Sequence, residues 1–306
     1  MSKFRLRGRR RKNRPASPDR IPLRSIVPNL ITSIAACAGI TSITISATNY
    51  AKTLAGKAPA TPRDWFMGLF ALLVACICDA MDGRVARLLN ASSKLGAELD
   101  SLADFVNFGV APAMFMYFWC LSGQPAMPQY IKNLLLGAAL FSALCDAFRL
   151  ARFNTMLEQP TIPYWKNFFL GVPAPGGCWM VLTPAILALS FTVKETAPLV
   201  SNAFQNPWFG MSMLLFIGVL MASRLPTISL KSIHISRAYL LPTMAGCLLL
   251  IAFLATNFWL TLGAVGAGYI ATVPFVGLIF LKVRAKYLRD HGEQEPETAP
   301  PPAPAA

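Results

Sequence analysis

Charge is scarce in this chain. Only 14% of its 306 residues are Asp, Glu, Lys or Arg, against 55% hydrophobic, and the mean hydropathy is +0.49. A soluble domain carries about 25% charged residues, so the composition excludes that class and reads as a polytopic membrane protein. Histidine is rarer still: His234 and His291 stand alone, with no partner nearby in sequence. The seven cysteines fall in apolar stretches and show no metal-like pairing except Cys76 and Cys78. Two residues apart on a helix, these point to different faces, and all seven read as small buried hydrophobes.

What is abundant is apolar sequence in long runs. A hydrocarbon core of ~30 Å needs about 20 apolar residues per helical crossing. Eight runs qualify: Val27–Thr48, Trp65–Asn90, Leu95–Leu121, Ile131–Phe153, Val172–Phe191, Trp208–Ser223, Ala238–Thr256 and Phe258–Leu281. The expected fold is an all-α, polytopic transmembrane helical bundle of about eight spans. Basic residues mark cytoplasmic connections. The arm "MSKFRLRGRRRKNRPASPDRIPLR" places the N-terminus there, and an even number of spans returns Lys282, Arg284, Lys286 and Arg289 to the same side. Arg84, Arg87 and Lys94, then Arg149, Arg152 and Lys166, then Arg224, Lys231 and Arg237 fit this orientation; the loop with Lys52, Lys57 and Arg63 opposes it. Three regions follow: a basic cytoplasmic arm (1–24), a membrane-embedded domain (25–289) and a Pro/Ala-rich tail (290–306). The arm reads as a topology anchor touching anionic headgroups, not as a cleaved signal or a nucleic-acid site. The tail's composition predicts disorder.

Against this apolar background the stretch "CDAMDGRVARLLNASSKLGAELDSLAD" is anomalous, with Asp79, Asp82, Asp100 and Asp104 at the cytoplasmic ends of two consecutive spans. Ionisable residues inside a membrane are costly and normally face the bundle interior for a function. Spacings of three and four put each pair on one helix face, and a short turn around "LNASS" predicts an antiparallel hairpin that brings the faces together. Four converging carboxylates need positive charge between them. All-oxygen ligation points to a hard divalent cation, Mg²⁺, Mn²⁺ or Ca²⁺, with room for two ions that leave positions for water and substrate phosphates. Gly83, Ala86 and Gly96 remove bulk beside the acids, and Arg87 offers a fork for phosphate oxygens. A phosphate-bearing lipid is therefore the expected substrate.

The full spacing is D-x2-D-G-x2-A-R-x8-G-x3-D-x3-D, and a chance match at one start point is on the order of 10⁻¹⁰ from ordinary residue usage. It resembles the signature of the CDP-alcohol phosphatidyltransferases, membrane enzymes that move a phosphatidyl group from a CDP-linked lipid to an alcohol and release CMP. The flanking stretches "RSIVPNLITSIAACAGITS", "DSLADFVNFGVAPA", "FRLARFN", "GVPAP" and "SRLPTISLK" are similar, in that order, to landmarks of the family's bacterial integral-membrane, serine-using branch. Asn107 and Val172 depart from that branch, which has Ser and Leu there.

The resemblance implies residue roles. Asp79, Asp82, Asp100 and Asp104 would hold Mg²⁺ or Mn²⁺, with Asp104 also the catalytic base. Asn29, Thr32, Gly83, Ala86, Arg87 and Ser93 would contact CDP-diacylglycerol. L-Serine, the implied acceptor, is zwitterionic: Arg149 and Arg152 are the candidates for its carboxylate, and Asp146 for its ammonium or for holding an arginine. The resemblance further implies a homodimer in the cytoplasmic (inner) membrane with the active site at its cytoplasmic face. Another acceptor, glycerol 3-phosphate or an inositol phosphate, stays open at this point. So, more distantly, does a cation transporter, although no second half mirrors the acidic hairpin.

Overall fold

The computed structural model describes residues 26–56, 60–91, 93–156, 168–170, 172–194, 202–223, 226–228 and 239–291. The arm, nearly all of the tail, His234 and the basic residues Lys57, Lys166, Arg224, Lys231 and Arg237 lie outside them.

The described residues form a helical bundle. Its helices are α1 (Ile26–Ala55), α2 (Pro62–Leu88), α3 (Lys94–Asp104), a π-helical turn (Phe105–Val110), α4 (Ala111–Gly123), α5 (Gln129–Met156), α6 (Ala174–Lys194), α7 (Pro207–Ala222), α8 (Leu240–Thr256) and α9 (Phe258–His291). A short antiparallel ladder joins β1 (Phe168–Leu170) to β2 (Pro226–Ile228), with Phe168 opposite Ile228. Six helical stretches are long and apolar enough to cross a membrane, the third made of α3, the π turn and α4 in series. Two of the eight apolar runs form shorter helices, α7 with 16 residues and α8 with 17.

Local sequence explains the ends. Thr61 caps α2 in a reciprocal box with Asp64, and Pro62 stands in the first turn, where its missing N–H costs nothing. Asp64 also pairs with Lys52 at 3.2 Å, which gives a partner to one of the basic residues opposing the charge pattern. Ser93 caps α3 by accepting from the Gly96 amide at 3.0 Å.

Packing follows residue size. The buried face of α1 reads Pro28, Thr32, Ala35, Gly39, Ser42, Ser46 and Asn49, small residues at spacings of three and four that let α2 and α4 approach closely. Several hydroxyls along α1, such as Ser46 to the Ser42 carbonyl at 2.8 Å, donate four residues back, whereas the buried Ser42 hydroxyl finds no partner among the described residues. The deep core is built from large side chains instead: Phe115, Met116 and Trp119 of α4, Leu135 of α5, Met180 and Ile186 of α6, and Leu214 and Ile217 of α7. Trp65 meets Phe115 edge to face at 5.7 Å, tying α2 to this core.

The expected hairpin forms, with its acids brought together near the turn. The α2 helix touches the π turn and α4, while α1 packs against both α2 and α3. The acids of α2 and α3 thus meet beside α1, which touches both helices.

Candidate active site

A cleft opens where α2 and α3 separate. It is lined by Pro28, Asn29 and Thr32 of α1, Asp82, Gly83 and Ala86 of α2, and Ala91, Ser93, Gly96, Ala97 and Asp100 after the turn, and is an open cleft whose free space, about 540 Å³, includes part of the exterior. Asn29 lies inside α1 with its amide oxygen toward Gly96, where a β-carbon would come within 2.8 Å of it. A glycine at 96 therefore keeps this wall of the cleft thin. Gly83 faces open space.

One carboxylate oxygen from each of Asp79, Asp82 and Asp100 lies within 4.8 Å of the others. Asp82, 3% exposed, is held on both sides. Thr32 donates its hydroxyl to one oxygen at 2.5 Å, and the Gly83 amide donates to the other at 2.5 Å. Three hard oxygen donors converging at the wall of a cleft suit a hard divalent cation, so the residues present fit the metal that the signature implies. Asp104 lies outside this trio, close to Asp79, Asp100 and Asp146, whose charges act on it.

The remaining expected residues divide. Asn29, Thr32, Gly83, Ala86 and Ser93 line the cleft; Arg87 does not, and its exposed Nε donates to the Gly83 carbonyl at 3.0 Å. Asp146 and Arg149 form a buried pair at 3.6 Å, close enough to Asp104 for both to act on it electrostatically. Arg149 Nε donates to the Val172 carbonyl at 2.7 Å, where Val172 stands in "GVPAP". Arg152 is engaged differently. Its Nη1 and Nη2 donate to the Ala222 and Ser223 carbonyls at 2.9 and 3.0 Å, closing the C-terminus of α7. Asn154 of the same motif donates to Ser101 Oγ at 3.0 Å, linking α5 to α3.

Other residues near the site lay beyond sequence reasoning. Gly109 of the π turn abuts Asp146, and Tyr269 of α9 lies close to Arg149 and against Gly176. Nothing in the spacing of a distant apolar helix announces such contacts. Asn107 is 1% exposed, lies against Gly39, and has no hydrogen-bond partner for either amide atom among the described residues.

This arrangement, acids across a cleft with a basic motif behind them, can be set beside known proteins. Residues 25–207 match the CDP-alcohol phosphatidyltransferase family. The chain belongs to the CDP-alcohol phosphatidyltransferase family. As a member it is a membrane-embedded phosphatidyltransferase, and the matched residues run from the start of α1 to the start of α7, spanning every acid described above. Among curated relatives, the chain is similar to the CDP-diacylglycerol–serine O-phosphatidyltransferase of Mycobacterium leprae. The two are 31% identical over 264 residues, 86% of this chain and 78% of that protein. The Helicobacter pylori protein of the same name (strain 26695) is 29% identical over 200 residues, 65% of this chain and 70% of its own. The Saccharomyces cerevisiae one is 39% identical over a shorter stretch of 149 residues, 48% of this chain and 49% of its own.

Proposed function

We propose that this protein transfers the phosphatidyl group of CDP-diacylglycerol to L-serine, giving phosphatidylserine and CMP. The observation that carries the chemistry is the meeting of Asp79, Asp82 and Asp100 at a cleft bordered by Asn29, Thr32, Gly83, Ala86 and Ser93. The names of the relatives support serine as acceptor. In this reading Asp79, Asp82, Asp100 and Asp104 hold two divalent cations, Mg²⁺ or Mn²⁺. Bound there, the ions supply neutralisation of the pyrophosphate and polarisation of the β-phosphorus.

The chain's own residues do the rest. Gly83 and Ala86 leave the cleft wall low, so the nucleotide-lipid approaches the backbone, and Arg87 at its rim offers cationic donors to the phosphates. The serine hydroxyl is a poor nucleophile while it keeps its proton, and Asp104 takes that proton. The serine oxygen bonds to the β-phosphorus as the bond from that phosphorus to the CMP oxygen breaks; the proton rests on Asp104 and CMP leaves as an anion.

The full fold in this reading has eight spans, with α7 and α8 as the shorter two. Both termini and the acids lie at the cytoplasmic face of the cell membrane. Supplying the purified protein with labelled CDP-diacylglycerol and a panel of alcohols tests the assignment. Phosphatidylserine is the expected product, and its formation stops when a chelator removes divalent cations. Product from glycerol 3-phosphate or an inositol phosphate, and none from serine, would refute the acceptor. Full turnover in excess chelator would refute the metal.

A further inference from the structure

Among the described residues, buried side-chain oxygens and nitrogens that lack a hydrogen-bond partner fall in two places. One is the Asp146–Arg149 pair near Asp104; the other runs along α1. There, Asn107 of the π turn has no partner for Oδ1 or Nδ2, Ser42 has none for Oγ, and Asn49 has none for Nδ2, although all three residues are almost wholly buried. Gly39, Ser42 and Asn49 stand at spacings of three and seven on the buried face of α1, and the Asn107 amide oxygen lies against Gly39. Ser42 therefore follows Gly39 on the face that Asn107 meets.

Lipid offers such groups nothing, so polar atoms inside a membrane bundle are satisfied within it. This seam is closed at both ends. Toward the acids, the buried Ala35 separates Gly39 from Thr32, whose hydroxyl goes to Asp82; toward the other end, the Tyr50 ring leans on Phe118 with centroids 6.1 Å apart. Its chemistry is mixed. Asn107 offers an acceptor and an amide donor, the Ser42 hydroxyl acts as either, and Asn49 adds a donor. A hard cation takes about six oxygens, which this set does not supply, and the carboxylate of Asp82 is already held by Thr32 and the Gly83 amide. Water both donates and accepts, and a buried water makes about three hydrogen bonds to groups otherwise unsatisfied. A π turn is also a widened place in the helical ladder, and Asn107 stands inside it.

We propose that the polar face of α1 and Asn107 form a water-binding site sealed inside the membrane domain, with a water molecule bridging the Asn107 amide to Ser42 Oγ. The bridge joins the π turn, which begins directly after Asp104, to the helix whose Thr32 holds Asp82. Two sides of the acid cluster are thereby tied together through a bound molecule and not through a side-chain contact alone. Neither Asn107 nor Ser42 lines the cleft, so the site is independent of which alcohol accepts the phosphatidyl group.

Crystals of the full-length protein grown from a lipidic mesophase, diffracting well enough to show ordered water, test the site. The expected result is a density peak within about 3.2 Å of both an Asn107 amide atom and Ser42 Oγ. An Asn107 amide bonded straight to Ser42 or to backbone, with no peak between them, overturns the proposal. Radiolytic hydroxyl-radical labelling in lipid nanodiscs gives a second reading without crystals, because bound water is activated in place and oxidises the side chains beside it. The reporter is Phe115, wholly buried: a β-carbon at Gly68 would stand 3.1 Å from its ring and 3.4 Å from Ser46 Oγ, one turn along α1 from Ser42. Phe115 is expected to oxidise severalfold faster in wild type than in the double variant Ser42→Ala, Asn107→Leu, which removes both bridging groups. Equal rates in the two proteins overturn the proposal. Should the double variant fail to fold, Ser42→Ala alone, which takes away one bridging group and adds no bulk, replaces it with the same two outcomes.

Discussion

Thr32 was expected at the nucleotide-lipid, yet its hydroxyl points at Asp82. The contact is 2.5 Å, between residues 4% and 3% exposed, and the alternative acceptor, the Pro28 carbonyl, is farther at 3.1 Å. One hydroxyl has one proton, so the shorter, charged partner takes it. A hydrogen bond to a charged group contributes about 1.5–3 kcal/mol, equivalent to about 10–150-fold in an equilibrium constant. Outer partners of metal ligands typically change metal affinity by about 10–100-fold. Thr32→Val keeps the shape and deletes the donor. The Gly83 amide still holds the other Asp82 oxygen, so the carboxylate stays near but turns more freely. The expected result is a 10–100-fold weaker Mn²⁺ affinity, followed by the free-ion signal in electron paramagnetic resonance, with CDP-diacylglycerol affinity near normal at saturating Mn²⁺. Thr32→Ser should restore metal binding. Wild-type Mn²⁺ affinity in Thr32→Val, together with weakened lipid binding, would show that Thr32 serves the substrate and not Asp82.

Asp104→Asn is expected to lose about 10²–10⁴-fold in turnover while retaining CDP-diacylglycerol binding in the presence of metal, whereas Asp82→Asn loses both; affinity and rate measured on each variant check this. Gly39→Ala sets a methyl group into the Asn107 amide and should destabilise by about 1–3 kcal/mol, visible as a lower thermal midpoint in detergent. Adding Asn107→Ala, which also removes two unpaired buried polar atoms, should restore it. Arg152→Gln releases the Ala222 and Ser223 carbonyls and should cost about 2 kcal/mol, and an unchanged midpoint would show that the end of α7 does not depend on this clamp.

Much of this was readable because membranes impose few choices. Apolar runs had to become helices, and acids at spacings of three and four had to share faces. Ser93 and Thr61 carried ordinary capping signals. What escaped had no local signature. The packing of α1 against both α2 and α3 depends on which helix faces meet in space, which a hydropathy scan does not weigh. The "FRLARFN" arginines looked alike, since a positive-inside anchor, a substrate contact and a helix clamp all place Arg at the same depth. Only three-dimensional neighbours separated Arg149, at Val172 and Asp146, from Arg152, at the end of α7. The run Leu95–Leu121 reads as one apolar span, and no residue in "FVNFGV" marks the widening within it.

That widened turn has a mechanical meaning. An α-helix advances about 100° per residue, so one additional residue accommodated in a π turn rotates everything beyond it by about that angle. The span thus behaves as two shafts joined by a coupling. The portion before Phe105 is oriented by the acids it presents to the cleft, and the portion from Ala111 onward by the fit of Phe115, Met116 and Trp119 in the core. The offset sets the phase between the two faces, so that one continuous span both carries Asp100 and Asp104 beside Asp79 and seats Phe115, Met116 and Trp119 in the core.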